Sequence, residues 1–236
     1  DVYKRQVLFS SADYKNWRYE KVLLRNDGKN GDMLECPDYL EVDGYPVIIC
    51  SPQNMHAQKY EFHNGHNSIY IIGDAEKEIS DFAWEKKRSL DYGLDFYAPQ
   101  TMLAPDGRRI MIGWMQSWDA NIRPAGQKWS CMMTIPRELR MEKGKIVQNP
   151  VREIENYHKN AVCYKNQKIN GDCQFKGING RVLDMTVEIV SGDFREFTIS
   201  FAQNERYHTD FSIVKHKNII EIDRTYSGMV RDAIAV

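Results

Sequence analysis

Apolar positions in this chain recur in alternation with polar ones, or in short unbroken runs, and seldom at the three-to-four spacing of an amphipathic helix. Residues 7–10, 39–42, 46–50, 68–72, 109–114, 182–189, 196–201 and 218–222 are rich in Val, Ile, Tyr, Phe and Thr and read as strands. Between such runs stand Asp43-Gly44 and Asp106-Gly107, where glycine can take the positive φ that a tight hairpin demands, and Lys143-Gly144 offers the same chemistry. Strands separated by turn signals at short intervals predict an all-β sandwich, barrel or propeller. Nothing supplies the long alternating helices of a βαβ fold.

The texture changes near residues 150–160. Before it the chain is dense in Trp, Tyr and Pro; after it come plainer alternating strands. Residues 150–157 suit a short helix with Pro150 in its first turn, where a missing N–H costs nothing. A domain boundary is therefore expected there, giving domains 1–155 and 156–236. No internal repeat is legible by eye.

Composition narrows the classes. With 236 residues, 42% hydrophobic and 28% charged, the chain can bury a sizeable core, and its formal net charge of −1 comes without a basic tract. The clustered Lys and Arg that nucleic acid or an anionic membrane requires are missing, so neither is an expected partner. No apolar run approaches the ~18 residues of a membrane-spanning helix. The polar start, Asp1 to Gln6, carries no signal-peptide core. Five cysteines (Cys36, Cys50, Cys131, Cys163, Cys173) are odd in number and form no CxxC pair, which favours free, buried thiols over a disulfide framework or a zinc site.

Three stretches could carry chemistry. Glu35, in Met33-Leu34-Glu35-Cys36-Pro37-Asp38, stands between apolar residues and a rigid Cys-Pro that biases Cys36 toward extended backbone. A carboxylate so placed is partly desolvated, the setting of a general acid, although a surface Glu in a turn has the same local sequence. Residues 89–100, Ser-Leu-Asp-Tyr-Gly-Leu-Asp-Phe-Tyr-Ala-Pro-Gln, combine Asp91 and Asp95 with three aromatics. Acids can accept bonds from sugar hydroxyls while aromatic faces cover the ring's C–H side; an aromatic core edge with solvated acids fits equally. Trp114, ending the 109–114 strand, suits either a sugar platform or the core. His56, His63 and His66 lack partners at metal spacing and read as solvated loop residues, and Glu85-Lys86-Lys87-Arg88 as a solvated face. No GxSxG elbow, P-loop or HExxH occurs. Neither metal nor cofactor is expected.

Taken in order, Glu35-Cys36-Pro37-Asp38, the 90–100 stretch, Gly113-Trp114-Met115 and Ile135-Pro136-Arg137-Glu138-Leu139 closely resemble glycoside hydrolase family 32, the family of sucrose-6-phosphate hydrolases, invertases, levanases and inulinases. The resemblance implies a five-bladed β-propeller followed by a β-sandwich, each present here in part. It implies retaining hydrolysis of a β-fructofuranosyl bond by two carboxylates ~5–5.5 Å apart. On that basis Glu35 is the acid/base, Asp91, Asp95, Tyr97 and Trp114 line the fructose site, and Pro37 and Asp38 hold the motif's geometry. A fructose-containing sugar is the implied partner.

Departures accompany the match. The family's WMNDPNG-like motif, which carries the nucleophilic Asp, and its RDP motif do not occur in this sequence. Residues 7–17 resemble the strand and turn that follow RDP, so the chain reads as a fragment with little turnover of its own. The alternative is a non-catalytic carbohydrate-binding or assembly module; an arabinan-cleaving propeller relative is disfavoured by the ECP and DYG-DFYAPQ combination. Sucrose, sucrose 6-phosphate or a fructan such as inulin or levan is the implied substrate, with sucrose or its 6-phosphate favoured. Unpaired cysteines tilt the expected location to the cytoplasm, with secretion the alternative.

Overall fold

The computed structural model describes residues 5–26, 28–77, 79–118 and 126–228. The first four residues of the polar start read above lie outside them, as do the last eight residues of the second expected domain. The chain forms two compact units, one running through Arg152 and a second beginning at Glu153.

The first unit is built from antiparallel strands. A hairpin of β1 (Arg5–Ser10) and β2 (Arg18–Arg25) precedes two four-stranded sheets. One sheet runs in sequence order through β3 (Met33–Val42), β4 (Tyr45–Gln53), β5 (Ile69–Ile72) and β6 (Arg88–Ser89); the other through β7 (Tyr97–Leu103), β8 (Arg109–Trp114), β9 (Arg137–Glu142) and β10 (Lys145–Pro150). Asp43 and Gly44 both take positive φ (50° and 82°), as do Lys143 and Gly144 (50° and 72°), which makes each pair the two-residue turn that matches strand twist. Asp106-Gly107 lies in a wider loop between β7 and β8, closed by mutual backbone bonds of Ala104 with Arg108 and Gly107.

The unbroken apolar run of β4 is explained by burial on both sides. Val47 and Ile49 face a core shared with Leu40, Tyr70, Phe96, Met111 and Leu139, between the two sheets. Ile48 and Cys50 face the opposite core, with Leu23, Leu24, Leu34 and Phe62, beneath the β1–β2 hairpin. A strand with two apolar faces cannot show alternation.

The second unit opens with a 3₁₀ helix at Arg152–Tyr157 and contains a three-stranded antiparallel sheet of β11 (Glu196–Phe201), β12 (Thr209–Val214) and β13 (Ile219–Asp223). The expected helix thus starts two residues late, because Pro150 completes the β10 ladder instead. The strand expected at 182–189 does not form: these residues are irregular, and Val182 is 94% exposed. Alternation alone makes no strand. A partner must supply the ladder, and none pairs with it among the described residues.

Candidate active site

Glu35 stands on β3 at a break in the ladder. Glu35 pairs with Ser51 and Asp38 with Ile49, so three steps along β3 oppose two along β4, the signature of a β-bulge. The same break recurs at the start of the second sheet, where Tyr97 pairs with Trp114 and Gln100 with Ile112. Each bulge holds a non-glycine residue at positive φ directly before proline: Cys36 at 46° and Ala98 at 49°. The extended backbone expected at Cys36 is therefore wrong. The proline restriction is overridden by the bulge, at a cost of about 1–3 kcal/mol per residue that surrounding contacts must offset.

Those contacts join one bulge to the other. The Thr101 N–H donates to Asp38 Oδ2 at 2.8 Å, and Gln100 Nε2 donates to the Cys36 carbonyl at 3.2 Å. The Tyr97 hydroxyl reaches Glu35 Oε2 at 2.9 Å and the Ser51 carbonyl at 3.1 Å. Beneath them, buried Ser51 and Ser68 meet hydroxyl to hydroxyl at 3.2 Å, and Ser51 Oγ accepts the Ala98 N–H at 3.2 Å. Ser68 Oγ donates to the Phe96 carbonyl at 3.4 Å.

Aromatic rings continue the site. Tyr97 meets Trp114 edge to face at 6.5 Å, Trp114 meets Trp118 at 5.5 Å, and His66 meets Tyr97 at 5.7 Å. Tyr97 is 1% exposed, whereas Trp114 is half-buried and Trp118 is 65% exposed. Burial, followed by the hydrogen bond and charge of Glu35, pushes the Tyr97 phenol far above its usual range. It is a donor at any working pH. Burial, then the Glu35 charge, also raises the Cys36 thiol.

The acidic turn before β7 is organised separately. Asp91 Oδ1 accepts the Gly93 N–H at 2.7 Å, and Asp91 Oδ2 is 2.6 Å from Arg137 Nη1. Arg137 also lies over the Phe96 ring, 4.8 Å from its centroid, and bonds Gln148 at 2.9 Å. Gln148 in turn donates to the Leu90 carbonyl at 2.5 Å. Asp95 is half-buried two residues before Tyr97. The structure thus joins Glu35 to Trp114 through Tyr97, and Asp91 to the same strand through Phe96.

Residues 2–150 match the Glycosyl hydrolases family 32 N-terminal domain. The chain belongs to family 32. Sucrose-6-phosphate hydrolase of Staphylococcus xylosus is 30% identical over 98% of this chain and 47% of its own length. A Bombyx mori GH32 β-fructofuranosidase, solved as a mutant with sucrose, is 33% identical with a TM-score of 0.61, over 67% of this chain and 34% of that one. Sucrose-6-phosphate hydrolase from Lactobacillus gasseri shares the fold over 97% of this chain and 46% of its own, with a TM-score of 0.71 at 22% identity. The chain spans about half the length, or less, of the curated relatives it matches. Its all-β architecture is that of the family's β-propeller domains.

Within this family 32 chain, several features escaped the sequence reading. Ser51, Ser68, Gln100 and Thr101 carry the bulge network; the one local parallel is the proline that follows the bulged residue in both Glu35-Cys36-Pro37-Asp38 and Tyr97-Ala98-Pro99-Gln100. His63 is not solvated: it is 7% exposed, its N–H donates to Asn67 Oδ1 at 3.3 Å, and its Nδ1 lies 2.8 Å from the Asn64 carbonyl. Of the five free thiols expected in the core only Cys50 is buried; the other four are exposed because they lie in the Glu35 bulge or in irregular segments. Among the described residues no three or more His, Cys, Asp or Glu are grouped to hold a metal ion, and no helix is long and apolar enough to cross a membrane.

Proposed function

We propose that this chain is the acid/base-bearing portion of a β-fructofuranosidase acting on sucrose or sucrose 6-phosphate. The observation that carries the reading is Glu35 at a strained bulge, one oxygen engaged by a buried phenol whose ring meets a half-buried indole edge to face. Glu35 protonates the leaving glycosyl oxygen and later takes a proton from the attacking water, while a second carboxylate, outside the motifs present in this sequence, forms the covalent glycosyl intermediate. Trp114 offers an apolar face to the fructosyl ring and Asp95 an acceptor for its hydroxyls. Pro37 and Asp38 keep the bulge in register. Asp91, with both oxygens occupied, serves by fixing the turn that presents Asp95 and Phe96.

The two units take the parts of propeller blades and sandwich respectively. Five free cysteines, four of them exposed, suit a reducing cytoplasm.

The test is Glu35→Gln in the complete gene product. The kcat/KM for sucrose should fall by about 10²–10⁴-fold, while kcat/KM for β-fructosyl fluoride, which reports only the steps through fluoride departure and needs no proton there, should fall far less. Equal losses on both substrates would remove Glu35 from the acid role. Sugar binding without turnover by the unaltered product would instead favour the carbohydrate-binding module.

A further inference from the structure

We infer that Tyr97 is a positioning residue that acts through Glu35, switching its single hydroxyl proton between the Glu35 carboxylate and the Ser51 carbonyl as Glu35 changes protonation state. The inference rests on the acid/base reading of Glu35. Its geometric basis is independent: one phenol proton faces two acceptors, Glu35 Oε2 at 2.9 Å and Ser51 O at 3.1 Å. At 1% exposure the phenol has almost no surface left for a sugar.

A neutral hydroxyl cannot satisfy both acceptors at full strength, so the better one takes the proton. An ionised carboxylate is the stronger acceptor, and the bond to it is charge-assisted. Once Glu35 carries the proton it will deliver, Oε2 becomes an ordinary carbonyl-type oxygen and the Ser51 carbonyl competes for the phenol. The Ser51 carbonyl thereby gives the hydroxyl somewhere to go. No covalent bond changes and no proton leaves Tyr97, whose phenol is held neutral by burial and by the adjacent negative charge. The consequence is a carboxylate pinned through Oε2 while it is ionised and released while it is protonated, leaving Oε1 to exchange the catalytic proton.

The bulges set this pairing. Thr101 to Asp38 and Gln100 to Cys36 lock β7 against β3 immediately beyond Tyr97, so its ring cannot follow a mobile partner. Around the pair stand the Cys36 thiol, next in sequence to Glu35, the Asp38 carboxylate of the same bulge, and His66, edge-on to the Tyr97 ring at 5.7 Å, while the Gln53 side chain also hydrogen-bonds the phenol. All of them remain when only the hydroxyl is removed.

The experiment compares the complete gene product with Tyr97→Phe, measuring pH profiles of kcat and kcat/KM on sucrose. Losing the donor disfavours the ionised carboxylate, so the alkaline limb of kcat/KM should move up by about half to one pH unit. The kcat at the optimum should drop by about tenfold with KM changing less than about threefold. Site-specific Tyr97→3-fluorotyrosine, which keeps the shape and is a stronger donor, should move the same limb down and retains a test if the Phe variant does not fold. A rise in KM with unchanged pH limbs would make Tyr97 a sugar contact and overturn the inference, as would unmoved limbs in both variants. If the unaltered product hydrolyses no β-fructofuranoside, the fructosidase reading itself fails and takes the inference with it.

Discussion

Arg137 holds Asp91 at 2.6 Å through the same Nη1 that lies 2.9 Å from Gln148 Oε1. That single guanidinium therefore ties the turn before β7 to both β9 and β10, and its plane covers Phe96. The two charged side chains are 26% and 21% exposed, so solvent screens the pair only in part.

Removing the hub should cost more than neutralising its partner. Arg137→Ala leaves the Asp91 charge unpaired and uncovers Phe96, at about 2–3 kcal/mol. Asp91→Asn keeps an acceptor for the Gly93 N–H and should cost about 1 kcal/mol. Urea denaturation of both variants measures the order, and a larger loss for Asp91→Asn would contradict it.

Gly113 marks a close approach. A Cβ there would lie 2.5 Å from Phe96 Cε2, far inside contact distance, and Phe96 cannot retreat because Arg137 packs on its ring. Gly113→Ala should therefore destabilise by about 1–3 kcal/mol through overpacking. Because Phe96 precedes Tyr97, the variant should also perturb the near-ultraviolet circular dichroism of the site aromatics. A wild-type melting temperature and spectrum would show that the ring has room to move.

Glu138 is one of the carboxylates on which acid stability depends. Hydrogen bonds from the Arg152 guanidinium and N–H, and then from Arg108, hold its carboxyl at about 2 instead of the ordinary 4.5. A folded-state value below the unfolded one means the native form binds fewer protons, so the contribution is fully present above about pH 4.5 and is lost as pH falls toward 2. Glu138→Gln should flatten the fall in stability across that window while lowering stability at neutral pH. Denaturation midpoints at pH 2.5, 4 and 7, as about three points on the curve, would expose the opposite slope if the reading were wrong.

How much was legible beforehand differs between levels. Strand content, the Asp43-Gly44 and Lys143-Gly144 hairpins, and the family resemblance follow from local pattern, because alternation and positive-φ turns are properties of a few adjacent residues. Strands β2, β6, β7, β9, β10 and β12 are not legible as strands, since charged or aromatic residues interrupt their alternation and β6 is only two residues long. The 182–189 segment errs the other way: it carries the pattern without a partner.

By itself the sequence determined an all-β chain with a carboxylate at 35, acids at 91 and 95, and aromatics at 97 and 114 in a recognisable order. Only the tertiary structure decided that Cys36 and Ala98 adopt positive φ, that Tyr97 turns its hydroxyl to Glu35, and that Asp91 belongs to Arg137. The physical reason is range. Turn and strand preferences act between neighbours, whereas these bonds join residues 62 and 46 positions apart, and they exist only once the two sheets have packed and the bulges have aimed their side chains across the gap.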